Sequence, residues 1–200
     1  CFMFAQKFHP AMRYVSTARK QLASRTAFNL LGPLSNPANV KNQLVGVFSI
    51  EYLDRLPALL KRKGAENIMT VRSDDGMDEF STSSTNRVCI LRDDKVLMNA
   101  IDPEVVGLHK SSLRDIQIKT KQDAIESFVG VLNNTASQAM IETTALNAAG
   151  GLIVANIADN FEQGVEIALK TIKDGKAISL LEKFVSETGD IEKLKEITNG

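Results

Sequence analysis

The sequence predicts an α/β protein in which helices surround a mixed β-sheet, with a further helical element at its start. Three observations favour this class. Strand-like apolar runs and an amphipathic helical segment alternate over residues 43–73, two more strand-like runs follow over 87–101, and helical periodicity dominates from residue 121 onward. With 200 residues, of which 44% are hydrophobic, the chain is long enough for one α/β domain with a real core.

The elements before residue 40 are predicted to be helical. Residues 9–23 predict a helix, because Pro10 is tolerated in a first turn and apolar residues follow on one face. That apolar stripe consists of Met12, Val15 and Leu22. Residues 24–39 predict a short helical turn and then a hinge-like connection, since Gly-Pro and Asn-Pro pairs interrupt them. This first element is a candidate for part of a second domain.

The remaining elements follow from hydrophobic periodicity. The predicted strands are 43–49, 67–73, 87–92 and 95–101. The predicted helices are 51–63, 121–133, 137–157, 160–173, 175–187 and 190–198. Asp93-Asp94 is expected to form a tight turn between the last two strands, so the sheet gains an antiparallel part.

Charge is balanced overall but unevenly distributed. The chain has 24 basic and 24 acidic residues, yet residues 1–50 contain no acidic residue. The basic residues of this segment are Lys7, Arg13, Arg19, Lys20, Arg25 and Lys41. A locally positive field favours an anionic ligand such as a phosphate, a carboxylate or nucleic acid. A solvated basic helix face explains the same pattern.

The cysteines and the first residues bear on the location of the protein. Cys1 and Cys89 have no spacing typical of zinc, redox or disulfide sites, which favours a reducing cytoplasm. The apolar opening CFMFAQKF is too short for a signal sequence or a membrane span. Because the sequence begins with Cys and in the middle of a pattern, we expect it to be a piece of a longer protein.

Arg19 is the first candidate for a binding residue. On a helical projection it lies between Met12 and Val15, so its guanidinium is expected to point inward with the apolar stripe. The planar fork of an arginine binds carboxylates and phosphates in a bidentate way. The alternative is an arginine that extends to solvent or pairs with a carbonyl or an acidic neighbour.

The second candidate is the acidic segment DDGMDE, residues 74–79, directly after a predicted strand. Loops at the carboxyl ends of strands in open α/β sheets are the usual place for ligands. Mg²⁺ typically takes one or two protein carboxylates and completes its shell with waters and substrate phosphates, which suits Asp78 and Glu79. The alternative is an acidic surface turn.

Several catalytic and phosphate-binding motifs are absent from the sequence. It contains no GxGxxG, Walker, HExxH, GxSxG or CxxC pattern. Its one pair of adjacent glycines, Gly150-Gly151, lies inside an apolar helical run, where close helix packing is the expected reason for glycine. His9 and His109 have no evident catalytic partner in the sequence. The chain therefore has no visible backbone cradle for a diphosphate.

Two long motifs resemble one enzyme family. The stretch FMFAQKFHPAMRYVSTARKQLASRTAFNLLGPLSNPAN is similar to the middle of the anthranilate phosphoribosyltransferases, and DDGMDE followed by Phe-Ser resembles their acidic metal-binding motif. The segments LNAAGGLIVAN and FEQGVEIALKTIKDGKA are similar to their C-terminal helices. The likeness covers essentially the whole chain and identifies it as a C-terminal portion.

The resemblance implies a nucleoside-phosphorylase-type fold with a small helical domain beside a larger α/β domain. Residues 1–35 would be the remnant of the helical domain and the hinge, and residues 36–200 the C-terminal α/β domain. Such enzymes join anthranilate to phosphoribosyl pyrophosphate in tryptophan biosynthesis, using Mg²⁺. The resemblance further implies a cytoplasmic homodimer that binds neither nucleic acid nor membrane.

The resemblance also implies roles for individual residues. Arg19 matches the family arginine that contacts anthranilate, and His9 and Pro10 lie in the motif that lines the anthranilate channel. Asp78 and Glu79 match the magnesium ligands. The family's GTGGD-type diphosphate loop has no counterpart in these 200 residues. Arg72-Ser73 stands where the family commonly has His-Gly, which leaves the two metal ligands in place.

Two other functions are compatible with the same fold. A nucleic-acid-binding relative without enzymatic activity would need a broad basic surface and a degraded acidic motif, whereas the net charge is zero and Asp78-Glu79 is intact. A pyrimidine-nucleoside phosphorylase would use phosphate as its nucleophile, and the HPAMR and RTAFNLLGPLSNP stretches favour the anthranilate enzymes instead.

Overall fold

The chain forms a four-stranded mixed sheet covered by helices. The computed structural model describes residues 3–22, 24, 28–92 and 95–198, without the side chains of Ser16, Arg19, Lys20 and Phe28. The strands are β1 (Asn42–Gly46), β2 (Asn67–Ser73), β3 (Asn86–Arg92) and β4 (Lys95–Ile101). The helices are α1 (Ala5–Phe8), α2 (Arg13–Leu22), α3 (Phe28–Leu34), α4 (Arg55–Arg62), α5 (Lys121–Leu132), α6 (Gln138–Val154), α7 (Phe161–Lys173), α8 (Lys176–Thr188) and α9 (Ile191–Thr198). Short 3₁₀ helices cover Pro10–Met12, Ile50–Tyr52 and Leu113–Ile116.

The sheet has the order β1-β2-β3-β4. β1 pairs with β2 in parallel, and the β2–β3 and β3–β4 pairs are antiparallel. The predicted mixed sheet is therefore confirmed. The predicted Asp93-Asp94 turn lies outside the described residues. β4 is an edge strand, and six of its seven residues are exposed.

Helices cover both faces of β2. Successive residues of this strand point to opposite faces, so the side chains on each face are buried in a different cluster. Met69 and Val71 pack with α6, α7 and Phe80 in one core cluster. Ile68 packs with α4 in a second cluster on the other face. This two-sided burial explains why the centre of β2 is mostly apolar, with Thr70 as a buried exception whose hydroxyl donates to the Leu53 carbonyl.

Several predicted boundaries differ from the structure. The helices predicted over 9–23 and 51–63 each divide into a 3₁₀ turn and an α-helix. The helix predicted over 137–157 ends at Val154. Asn156, two residues beyond that end, adopts a left-handed φ of 58°, which stops helical propagation. The strand predicted over 43–49 corresponds to β1, which ends at Gly46, three residues earlier than predicted.

The helices before the sheet contribute little to the core, and Leu34 at the end of α3 packs against its second cluster. None of the described side chains in residues 3–22 is buried, and Leu22 of the predicted apolar stripe is 62% exposed. Met12 and Val15 are half-buried. Among the helices that the structure describes, none combines the length and the apolar composition needed to cross a membrane.

Candidate functional site

The acidic loop follows β2 at the carboxyl end of that strand. Gly76 adopts a φ of 101°, which permits a tight turn, and its N–H donates to the Ser73 carbonyl at 3.0 Å. The N–H of Ser73 donates to the Met77 carbonyl at 2.9 Å. The chain thus folds back on the end of β2 before it reaches Asp78 and Glu79.

The first two carboxylates of the loop are engaged in holding it. Asp74 accepts two hydrogen bonds from the Arg87 guanidinium, at 2.7 and 3.1 Å. Asp75 accepts a hydrogen bond from the Met77 N–H at 3.0 Å and one from the Ser83 hydroxyl. Burial raises the pKa of Asp75, but hydrogen bonds from Ser81, Ser83 and the Met77 amide outweigh burial and leave that pKa below its ordinary value.

Asp78 and Glu79 differ from these two. Both are exposed, and within the described part of the chain their side chains make no hydrogen bond or ion pair. No group of three or more His, Cys, Asp or Glu side chains that could hold a metal ion occurs among the described residues. Two free, adjacent carboxylates without a third protein ligand fit Mg²⁺, which completes its shell with water and substrate oxygens.

The chain after Glu79 is fixed firmly in the core. Phe80 is fully buried and packs edge-on against Phe161, with ring centroids 5.3 Å apart. The side-chain amide of Asn147 accepts from the Phe80 N–H at 3.0 Å and donates to the Phe80 carbonyl at 2.7 Å. The two exposed carboxylates therefore directly precede a residue whose backbone and side chain are both held in the core.

Arg72 and Ser73 also support the loop. Arg72 Nη1 donates to the carbonyl of Phe48 at 2.7 Å, just beyond β1. Ser73 is buried, and its hydroxyl lies 2.7 Å from the Ser84 hydroxyl. Both side chains therefore help to hold the end of β2, from which the acidic loop starts.

The predicted acceptor-binding residues lie in the helical segment before the sheet. His9 is half-buried, and Pro10 is exposed at the first position of a 3₁₀ helix. The backbone of Arg19 belongs to α2, but its side chain lies outside what the structure describes. None of the acidic loop's hydrogen bonds among the described residues involves this segment. The positions of Arg19, His9 and Pro10 relative to Asp78 and Glu79 therefore stay a prediction.

A buried carboxylate next to the site escaped sequence analysis. Glu142 of α6 is 6% exposed and accepts hydrogen bonds from the His109 N–H, His109 Nδ1 and Gln138 Nε2, each at 2.8 Å. His109, for which the sequence shows no catalytic partner, therefore has a hydrogen-bond partner in the structure. The sequence does contain a signal for this buried acid. Glu142 lies on the same helical face as Ala145 and Leu146, one turn later, and both of these are buried.

This cluster anchors the segment behind the acidic loop. Thr82 Oγ1 lies 2.7 Å from the hydroxyls of both Ser111 and Thr143. Because Thr143 follows Glu142, α6 holds both the His109 segment and the residues just after Phe80. Burial raises the pKa of Glu142, but the hydrogen bonds from Gln138 and His109 outweigh it and leave the pKa below its ordinary value of 4.5.

We expect Glu142→Gln to destabilise the fold by about 1–3 kcal/mol at neutral pH, because one amide group cannot accept all three hydrogen bonds. A lowered pKa in the folded state means that the ionised group contributes stability above pH 4.5, and this contribution is lost as pH falls through the lowered value. The variant should therefore flatten the acid side of the stability profile. Urea unfolding followed by circular dichroism at several pH values measures this. Glu166→Gln, at an exposed position of α7, is the control, and parallel profiles for Glu142→Gln and wild type would contradict the assignment.

An apolar cavity of about 310 Å³ opens beside the acidic loop, between α5 and α6. Its lining residues are Met77, Glu79, Ile116, Ile118, Ala124, Ser127, Phe128, Val131, Leu132, Met140, Thr143 and Thr144. None of these residues is basic. The cavity therefore offers no cation to an anionic group, and a diphosphate has no evident site in it.

Comparison with known proteins places the sequence in context. Residues 1–178 match the model of the glycosyl transferase family, a/b domain. The chain is 87% identical over all its 200 residues to an anthranilate phosphoribosyltransferase of Nitrosopumilus maritimus, of which it covers 58%. The crystal structure of an anthranilate phosphoribosyltransferase from Thermus thermophilus superposes with a TM-score of 0.84 at 34% identity, covering 92% of this chain and 54% of that one.

The anthranilate phosphoribosyltransferase of Saccharomyces cerevisiae is also similar. Its structure with 4-fluoroanthranilate gives a TM-score of 0.78 at 25% identity, and its structure with PRPP and Mg gives 0.75 at 26%. Each covers 89% of this chain, which spans about half of the yeast chain (52% and 51%).

Proposed function

Because the chain belongs to the glycosyl transferase family with the a/b domain, we propose that it forms part of an enzyme that transfers the phosphoribosyl group of phosphoribosyl pyrophosphate to anthranilate in tryptophan biosynthesis. The observation that carries the proposal is the pair Asp78-Glu79 at the carboxyl end of β2, which is exposed and has no side-chain partner among the described residues. The yeast relative binds an anthranilate analogue, PRPP and Mg, which supports the same substrates here.

Asp78 and Glu79 would hold Mg²⁺ in this reaction. When bound, the ion orients the donor and neutralises charge that develops on pyrophosphate. The chain's own contribution is to keep the two carboxylates free and aimed at solvent, which the bonds of Asp74, Asp75 and Asn147 achieve. Their fixed placement reduces the reorganisation that the reaction requires.

The acceptor needs positioning more than proton transfer. The aromatic amine of anthranilate is neutral and nucleophilic, and its nitrogen forms a bond to the anomeric carbon as the bond from that carbon to pyrophosphate breaks. Arg19 would hold the anthranilate carboxylate, and His9 and Pro10 would line the approach. This chemistry does not require His109, whose Nδ1 is bonded to Glu142.

We further infer that the protein acts in the cytoplasm as a homodimer, without binding nucleic acid or membrane. The free, buried Cys89 and the balanced charge support this setting. Sedimentation of the protein with and without substrates tests the dimer.

The transfer activity is tested in a polypeptide extended to the full length of the relatives, by the loss of anthranilate fluorescence with PRPP and Mg²⁺. Release of a free base from a pyrimidine nucleoside and phosphate, without anthranilate consumption, would instead support the phosphorylase. Salt-sensitive binding of nucleic acid without either activity would support the non-enzymatic relative.

In the same polypeptide we expect Arg19→Ala to raise the KM for anthranilate by roughly 10- to 150-fold, which corresponds to losing a charge-assisted contact of about 1.5–3 kcal/mol. The KM for PRPP should change little. Lys7→Ala, which removes another positive charge from the same exposed segment, is the control. An unchanged anthranilate KM in a folded Arg19→Ala protein would remove Arg19 from the acceptor site.

A further inference from the structure

Gly46 ends β1 directly beneath the acidic loop. A Cβ atom added to Gly46 would overlap the carbonyl oxygen of Asp78 and lie 2.7 Å from its carbonyl carbon. The backbone of Gly46 does not require glycine for its conformation, since it has no left-handed φ. Glycine is therefore needed at this position for space.

The loop cannot yield easily to a larger residue at position 46. The obstructing atoms belong to the backbone of Asp78, which cannot rotate away as a side chain can. On one side the loop is tied to β2 through Ser73 and Met77, and on the other Phe80 is fixed by Asn147. β1 is itself held by its parallel pairing with β2, in which Gly46 lies opposite Val71.

We propose that Gly46 is a positioning residue for the metal-binding pair: its missing side chain forms the seat on which the Asp78 carbonyl rests, and this seat sets where the carboxylates of Asp78 and Glu79 project. The metal-binding role rests on the proposed function, whereas the seat itself does not. A side chain at position 46 would displace the loop and weaken Mg²⁺ binding without touching the metal.

Two other glycines provide matched controls for Gly46→Ala. Gly164 of α7 is also crowded, although less severely, because an added Cβ would lie 2.8 Å from the Cβ of Ala149 in α6. Gly151 has no atom within 4 Å of an added Cβ. Gly164→Ala therefore introduces a steric clash elsewhere in the core. Gly151→Ala controls for the effect of replacing a glycine with alanine where no clash arises.

The three variants are made in the extended polypeptide. Hydrogen–deuterium exchange of residues 74–80 should become faster in Gly46→Ala alone. The Mg²⁺ concentration for half-maximal transfer should rise by about 10-fold or more in that variant, the usual effect of losing an outer-shell support, with the anthranilate KM unchanged. Unchanged exchange and Mg²⁺ dependence in Gly46→Ala, or an equal rise in Gly164→Ala, would overturn the proposal.

The exchange measurement separates this proposal from the proposed function. If the wild-type polypeptide transfers no phosphoribosyl group, the proposed function fails, while faster exchange in Gly46→Ala alone still supports the seat. If Gly46→Ala does not fold, Mn²⁺ is titrated into the wild-type protein and amide resonances are recorded. Selective broadening of Gly46 relative to Gly151 supports the proposal, and equal intensities overturn it.

Discussion

Replacing Asp78 and Glu79 together with Asn and Gln should lower Mg²⁺-dependent phosphoribosyl transfer by at least about 100-fold in the extended polypeptide. A neutral amide pair removes the two negative charges that attract the ion, and neutralisation of the leaving pyrophosphate is the main chemical assistance that this reaction needs. The fold should persist, because both side chains are exposed and make no contact that stabilises the core in the described part of the chain.

The decisive measurement is the rate of anthranilate consumption as a function of Mg²⁺ concentration. Glu166→Gln is the control, since it removes a carboxylate from an exposed position of α7 that has no part in the acidic loop. We expect this control to keep the Mg²⁺ dependence of the wild type. If the double variant follows the wild-type curve, the metal site lies elsewhere in the protein.

The sequence predicted the types and order of most elements from their composition and periodicity. β2 is a short, mostly apolar run between polar ends, and α7 places its buried residues on one helical face. Element ends were less predictable. Asn156 was an available signal for the end of α6, because asparagine tolerates the left-handed conformation that it adopts there.

The candidate site was predicted as a segment but not as an arrangement. Four acids within six residues indicate a cation site, yet their separate roles depend on distant partners. Within the segment, Asp74 is hydrogen-bonded to Arg87, thirteen positions away. Outside it, Glu142 is hydrogen-bonded to His109, thirty-three positions away. Gly46 reveals its role only when β1 and the acidic loop are seen side by side. Local periodicity contains no information about such pairings.

The 200-residue chain alone should show no measurable phosphoribosyl transfer to anthranilate. The donor carries most of its charge on its diphosphate, which requires a backbone cradle at a helix start. The chain has no such glycine-rich segment. Gly150 lies inside α6, where an added Cβ would lie 2.7 Å from the Phe80 ring, so close packing with Phe80 accounts for this glycine. Gly151 has open space around it, so the packing expected for the pair applies only to Gly150.

The described residues beside the acidic loop do not replace that cradle. The cavity next to Glu79 is lined without a basic residue, and residues 3–22 bury no described side chain. Leu22 in this segment is exposed, and Met12 and Val15 are half-buried. This apolar surface favours association with another copy of the chain over a fixed acceptor site. Since catalysis here depends on holding two reactants together, the loss of one site removes most of the rate enhancement.

Anthranilate fluorescence with saturating PRPP and Mg²⁺ tests this expectation, with the extended polypeptide as the positive control. Amide exchange of the 200-residue chain should be fast in residues 3–22, which bury no described side chain, and slowest in β2 and α6, whose side chains form the core. Turnover by the isolated chain near that of the extended polypeptide would contradict the prediction. In that case the donor would bind through residues to which we assign structural roles. Residues 81–84, the Ser-rich segment after Phe80, would be the first to substitute.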